Sequence, residues 1–179
     1  MLRFVRNFQT SAARRVAVGD KVPSAVLLDG APSATVNLAE ATAKGKYLAV
    51  GVPGAFSPGC SQRHIPGFLE KAKEFKAHGV KHIYVITVND SFVTSAWKSS
   101  LFGNSNSSEV EDYVSVLADH SGEFSRDWDT LFDATKFFGS PRSKRYAALI
   151  EDGTVVKAFV EPDSTGINDS EASKVITQI

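Results

Sequence analysis

Cys60 is the sole cysteine among 179 residues, and Ser57 stands three positions before it in Ser57-Pro58-Gly59-Cys60. A lone thiol has no internal disulfide partner, so it is either a small buried apolar residue or a group used in chemistry. Its setting argues for chemistry. Ser57 is of the type preferred at a helix N-cap and Pro58 suits the first helical position, which puts Cys60 third. There the unpaired backbone N–H groups and the positive end of the helix dipole favour an anion by about 0.3–1 kcal/mol. The Ser57 hydroxyl is expected to accept from a helix N–H and donate to the sulfur, while Gly59 leaves the approach open. A free cysteine titrates near ~8.5, and such surroundings bring reactive thiols to about 3.5–7.5. Cys60 is therefore expected to be a reachable thiolate at neutral pH.

The elements that must position this thiol follow from the apolar pattern. Tyr47 to Val52 is a nearly continuous apolar run, as a central strand covered on both faces requires, and Pro53-Gly54 ends it. A helix from Pro58 to His78 follows, with Ile65, Phe68, Leu69, Ala72 and Phe75 at helical spacing and a kink at Pro66-Gly67. Ala25 to Leu28 and Val36 to Leu38 suggest an early hairpin; His82 to Val88 and Val114 to Ala118 are further strands. A second helix runs to about Ser100, capped by Asp90 or Ser91, and Leu101 to Ser108 reads as a loop. A short helix covers Phe124 to Leu131, and a loop passes through Gly139-Ser140-Pro141. Tyr146 to Ile150 and Val155 to Val160 flank the Asp152-Gly153 hairpin signal, and Ala172, Val175, Ile176 and Ile179 stripe a last helix capped by Asp169 or Ser170. Strands alternating with helices, then a hairpin and a closing helix, describe an α/β thioredoxin-like fold with a mixed central sheet flanked by helices.

Bulk properties narrow the function classes. With 42% hydrophobic residues the chain supports one domain with a full core. Formal net charge is zero and no basic patch interleaves with aromatics, so nucleic acid is not expected as a partner; no apolar stretch is long enough to span a membrane. Residues 1–15 carry Arg3, Arg6, Arg14 and Arg15 with no acid, beside Leu2, Phe4, Val5 and Phe8. That composition fits a mitochondrial transit peptide, leaving residues 16–179 as the domain and the matrix as the expected location. His78, His82 and His120 show no ligand spacing with Cys60, so neither metal nor other cofactor is expected.

Pro53-Gly54-Ala55-Phe56-Ser57-Pro58-Gly59-Cys60 resembles the peroxiredoxin signature, in which proline, then threonine or serine, precede a peroxidatic cysteine. His64-Ile65-Pro66-Gly67-Phe68 continues it in the manner of the type II, class five-like branch, as do Lys144-Arg145-Tyr146 and Val160 to Gly166. The resemblance implies a thiol peroxidase in which Cys60 attacks hydrogen peroxide or an alkyl hydroperoxide and becomes a sulfenic acid. It further implies that Ser57 bonds peroxide and thiolate, Pro53 shields the pocket from water, and Arg145 stabilises thiolate and developing charge. Spacing alone does not choose Arg145 over Arg142 or Arg63. His64, one turn beyond Cys60, is implied as support beside the site rather than as the essential base.

Two departures matter. Ser57 stands where the family usually has threonine, and Ile167-Asn168-Asp169-Ser170 occupies the place of the resolving cysteine of many type II members. With no second thiol, the sulfenic acid needs an external reductant: glutathione with glutaredoxin, or thioredoxin. A homodimer is implied, with Ala55, Phe56, Phe92 and Trp97 as apolar contacts. Three rivals share the single cysteine. A thiol-disulfide oxidoreductase would use Ser57-x-x-Cys60 with its first thiol lost; a peroxide sensor would pass oxidation to a partner; a cysteine hydrolase lacks a local signature.

Overall fold

A computed structural model describes residues 15–103 and 108–179 of the chain. The leader expected at residues 1–15 lies, except for Arg15, outside the described residues. Val16 is buried against the sheet.

Val26–Asp29 (β1) and Thr35–Asn37 (β2) form the early antiparallel hairpin, and Asn37 then caps Leu38–Ala41 (α1) by accepting from Ala39 N–H. Lys46–Gly51 (β3) is the apolar strand, buried over its last four residues. After the loop to Ser57, the chain turns helical at Pro58 and passes through a π-helical turn at Cys60–His64 into Ile65–Glu70 (α2) and Ala72–Ala77 (α3). Sequence periodicity places one kinked helix here. The π turn has a local cause: Pro66 lacks an N–H and its ring would strike the carbonyl four residues back, so the turn before it widens and Ile65 N–H bonds Cys60 O, five residues back.

Val80–Thr87 (β4) leads to Ser91–Phe102 (α4), whose cap is Asp90: its carboxylate accepts from Phe92 and Val93 N–H. The helix thus reaches two residues into the segment read as a loop, of which residues 104–107 are outside the described set. Ser108–Tyr113 (α5), a helix too short for periodicity to show, precedes Val114–Ala118 (β5). Glu123–Asp127 (α6) is held by Asp119, which accepts from Phe124 and Ser125 N–H. The helix expected to run to Leu131 stops at Asp127, and Leu131–Phe132 (β6) and Thr135–Phe138 (α7) follow before the expected loop at Gly139-Ser140-Pro141 leads to Arg142–Ser143 (β7). Tyr146–Glu151 (β8) and Thr154–Val160 (β9) pair across the Asp152-Gly153 turn, where both residues have positive φ. Ala172–Ile176 (α8) closes the chain from Glu171, not from Asp169 or Ser170, because the Ser170 side chain is engaged elsewhere.

The main sheet runs β2-β1-β5-β4-β3-β8-β9, with β3, β4 and β5 parallel and the rest antiparallel. One face packs against α2, α3, α4, α5 and α8 through Phe68, Phe75, Trp97 and Val175; the other packs against α1, α6 and the Val16–Val22 segment through Leu38, Phe124 and Trp128. This is the thioredoxin-like α/β fold. Its register positions the site. Gly51 of β3 faces Tyr146 of β8, so the residues just past the end of β3 lie beside the residue just before β8, Arg145. Gly51 is required there: a Cβ would stand 2.0 Å from the Tyr146 ring.

Candidate active site

The chain leaves β3 through buried Pro53 and Gly54 and reverses at Phe56, whose φ of 60° is uncommon for a bulky residue. That reversal lets Ser57 fold back: its N–H bonds Gly54 O at 3.3 Å and its Oγ lies 2.9 Å from the same carbonyl. Ser61 N–H bonds Ser57 O at 2.9 Å, so the helix begins where capping chemistry placed it. The Ser57 side chain, however, caps no N–H. Its Oγ is 2.8 Å from Cys60 Sγ. One hydroxyl proton serves one acceptor at a time, so Ser57 either donates to the sulfur or donates to Gly54 O while accepting from the thiol. The cluster accommodates both protonation states of the thiol without moving a heavy atom.

The second contact to the sulfur comes across the sheet. Arg145 Nη1 lies 3.4 Å from Cys60 Sγ, and its Nε donates to Thr165 O at 2.9 Å. The side chain is 4% exposed and forms no ion pair among the described residues. A buried guanidinium without a counter-ion strongly favours negative charge beside it. Gly59 is what admits it: a Cβ there would stand 3.3 Å from Arg145 Nη2 and 3.6 Å from Ile167.

Arg145 is held by the segment after β9, and that segment is held by a carboxylate. Arg145 N–H bonds Ser164 O, and Glu161 N–H bonds Arg145 O, at 2.8 and 3.1 Å. Glu161 is 1% exposed, and its Oε1 accepts from Asn168 N–H, Ser170 N–H and Ser170 Oγ, each at 2.8 Å. Asp163 tightens the turn between, accepting from Gly166 and Thr165 N–H, and these bonds hold its carboxyl below the usual range. His64 joins the two halves. It sits on the Cys60 helix, and its Nε2 meets Ser170 O at 3.0 Å and Ser170 Oγ at 3.1 Å. Burial, with the nearby Arg145 charge, lowers the His64 pKa to about 3, so the ring is neutral near pH 7.

Pro53, Ser57, Gly59, Phe137, Phe138, Arg145 and Thr165 line an open pocket of about 340 Å³. Cys60 lies beneath it and is wholly buried rather than exposed. The correction has a plain cause, since Ser57 and Arg145 both lean over the sulfur. His64 is near the site but turned to Ser170. Trp97 is also buried, donating from Nε1 to Ser61 Oγ at 2.9 Å, so it is core and not a contact surface; Phe56 and Phe92 are 53% and 70% exposed. Sequence reasoning did not assign Glu161, Thr165 or Ser170: Thr165 and Ser170 meet Arg145 and His64, 20 and 106 residues away, and Glu161 matters through the loop it holds. Among the described residues no three His, Cys, Asp or Glu side chains gather as a metal ion would require, and no helix is long and apolar enough to cross a membrane.

Residues 17–176 match the family model described as Redoxin. The chain is 44% identical over 164 residues to Peroxisomal membrane associated protein 20 of Schizosaccharomyces pombe, covering 92% of this chain and 99% of the relative. It is 37% identical over 149 residues to Peroxiredoxin-2B of Arabidopsis thaliana, covering 82% of this chain and 88% of that one. Reduced Prx3 from Vibrio vulnificus, solved in complex with hydrogen peroxide, superposes with a TM-score of 0.79 at 32% identity over 92% of this chain and 99% of the other. Peroxiredoxin 5 of Alvinella pompejana does so at 0.75 with 34% identity, over 91% and 98%.

Proposed function

The chain belongs to the peroxiredoxin family and is a thiol peroxidase, and from that premise we propose that Cys60 is its peroxidatic nucleophile and works without a resolving cysteine. The observation that carries this reading is the convergence of Ser57 Oγ and Arg145 Nη1 on one buried sulfur. Ser57 and Arg145 stabilise negative charge on Sγ before the reaction and on the peroxide oxygens during it. Sγ attacks the distal oxygen of the hydroperoxide, the S–O bond forms as the O–O bond breaks, and the departing hydroxide or alkoxide takes up a proton from solvent. Pro53 and the Phe137-Phe138 wall keep water from the sulfur, and His64 and Gly59 support the arrangement without touching the reacting atoms.

The sequence holds no second thiol to condense with the sulfenic acid. An external thiol completes the cycle, either glutathione with glutaredoxin or thioredoxin. The test is hydrogen peroxide and alkyl hydroperoxide turnover with each reductant system, using Cys60→Ser as the control. Turnover with glutathione plus glutaredoxin that vanishes in the control supports the reading, and a control that keeps its activity overturns it. Oxygen uptake by Cys60 without turnover under any thiol would instead identify a peroxide sensor.

We place the protein in the mitochondrial matrix on the composition of its arginine-rich leader, which a reporter fused to residues 1–15 tests directly. We also propose a homodimer, since Phe56 and Phe92 are large exposed apolar side chains near the site. Sedimentation should show a dimer that Phe92→Asp weakens.

A further inference from the structure

The wall of the Cys60 pocket has a second side. Phe138 lines that pocket, its ring reaching to Gly54, and the guanidinium of Arg142 lies over the same ring at 5.3 Å from the centroid. Behind it opens a larger cleft of about 580 Å³ lined by Arg142, Arg126 and Asp90, with His120 beside them. The two spaces are joined a second time through Asn89, which lines the cleft and whose Oδ1 accepts from Ala55 N–H in the loop before Ser57.

The charges of this cleft are incompletely matched by the protein. Arg142 Nη1 donates to Val88 O at 2.6 Å, yet its Nε is buried without a partner and no described carboxylate pairs with the side chain. The guanidinium thus brings a positive charge without a carboxylate partner to the wall of the cleft, and an anion there would offset it. Arg126 makes only a 3.7 Å contact with Asp127 and is 60% exposed, so it remains available. Asp90 spends Oδ1 on Phe92 and Val93 N–H, with no described partner on its other oxygen.

We propose that this cleft docks the carboxylates of a small peptide thiol and so delivers the reductant to oxidised Cys60; the inference rests on the external-thiol reading above. Two guanidiniums and one carboxylate are the complement of a ligand with two carboxylates and one ammonium, which is the charge pattern of glutathione. The two spaces are adjacent, since a single aromatic ring, Phe138, stands between Arg142 of the cleft and the thiol pocket. With its carboxylates on Arg142 and Arg126, the peptide places its thiolate against Cys60 Sγ. The S–S bond forms as the S–O bond of the sulfenic acid breaks, and the hydroxide leaves as water with the proton given up by the thiol. A second glutathione thiolate then attacks the glutathione sulfur of the mixed disulfide, releasing Cys60 and glutathione disulfide.

The test oxidises the full chain with one equivalent of hydrogen peroxide and follows loss of the sulfenic acid by stopped flow under glutathione or cysteamine, which has a thiol and an ammonium but no carboxylate. Arg142→Gln should lower the ratio of glutathione to cysteamine rate constants about tenfold, and Arg126→Gln about threefold, as loss of a charged contact predicts. S-methylglutathione, which cannot react, should bind the wild-type protein and bind Arg142→Gln about tenfold more weakly. Equal loss with both thiols, or S-methylglutathione binding indifferent to Arg142 and Arg126, overturns the docking cleft. Glutathione that fails to reduce wild-type Cys60 while S-methylglutathione still binds through Arg142 instead overturns the reductant reading.

Discussion

The two contacts to the Cys60 sulfur come from opposite kinds of structure. Ser57 lies three residues away along the chain, and Arg145 lies 85 residues away. The near arm is set by local rules: strand end, reversal at Phe56, helix start. The far arm needs the β3–β8 register to bring Arg145 alongside and the segment from Glu161 to Ser170 to hold it there. A sulfur held this way is only half specified by its own motif, since its contact with the Arg145 guanidinium is a tertiary property.

The sharpest challenge to that division is the removal of each arm's donor in turn. Arg145→Gln, which loses the charge, should lower kcat/KM for hydrogen peroxide by about 10²–10³, the usual cost of one preorganised donor to developing charge. Ser57→Ala should cost less, about tenfold, because Arg145 remains. Stopped-flow peroxide reduction measures both. If Ser57→Ala proves the more damaging, the near arm dominates and the far arm is merely structural.

A second variant asks whether the far arm depends on its buried carboxylate. Glu161→Ala leaves Asn168 N–H, Ser170 N–H and Ser170 Oγ without their acceptor, which should cost at least about 3 kcal/mol in urea unfolding and about tenfold in kcat/KM. Glu161→Gln keeps an oxygen at Oε1 and should restore most of both losses. The near arm offers the converse case, a gain. Ser57→Thr adds a γ-methyl that narrows the choice of χ1 and should raise the rate about twofold. A fall would show that Oγ needs rotational freedom to alternate between Gly54 O and Sγ.

How far the sequence could be read follows the same line. The β1–β2 hairpin, β3, β4, β5 and the β8–β9 hairpin were legible because alternation, apolar runs and Asp152-Gly153 are local signals. So was the thiol, from Ser57, Pro58 and Cys60. Arg145 was indicated only by the resemblance around Lys144-Arg145-Tyr146. Nothing local separates it from Arg142, and it is the register with β3 that sends one to the sulfur and the other to Phe138. The π turn went unread because its cause, Pro66, reads equally well as a kink. α5 and α7 were missed for want of length: a one-turn helix such as Thr135–Phe138 has too few residues to show a period. Glu161 was the deeper omission, since an acidic residue at a strand end ordinarily suggests solvent rather than the most crowded acceptor of the site.

His64 tests whether the two arms form one unit, because it belongs to the Cys60 helix and bonds the Ser170 carbonyl of the far arm. Its effect on catalysis near pH 7 should be small, less than about twofold for His64→Gln, which keeps a donor toward Ser170 and removes no contact to the sulfur. Its signature lies in pH instead. Folding depresses its pKa from 6.5 to about 3, chiefly through burial and then through the Arg145 charge, with the Ser170 bond opposing. Between those values the unfolded chain takes up a proton that the folded chain refuses, so stability is full above pH 6.5 and is lost as pH falls toward 3, by at most about 1.4 kcal/mol per pH unit. Burial shifts His82 in the same direction, but it is common to both proteins and cancels in the difference. Urea midpoints of wild type and His64→Gln measured from pH 7.5 to 4 should converge as pH drops, because only the wild type carries this slope. Parallel curves would mean that His64 accepts its proton in place, and a cation there would leave the near and far arms joined by something other than a neutral imidazole.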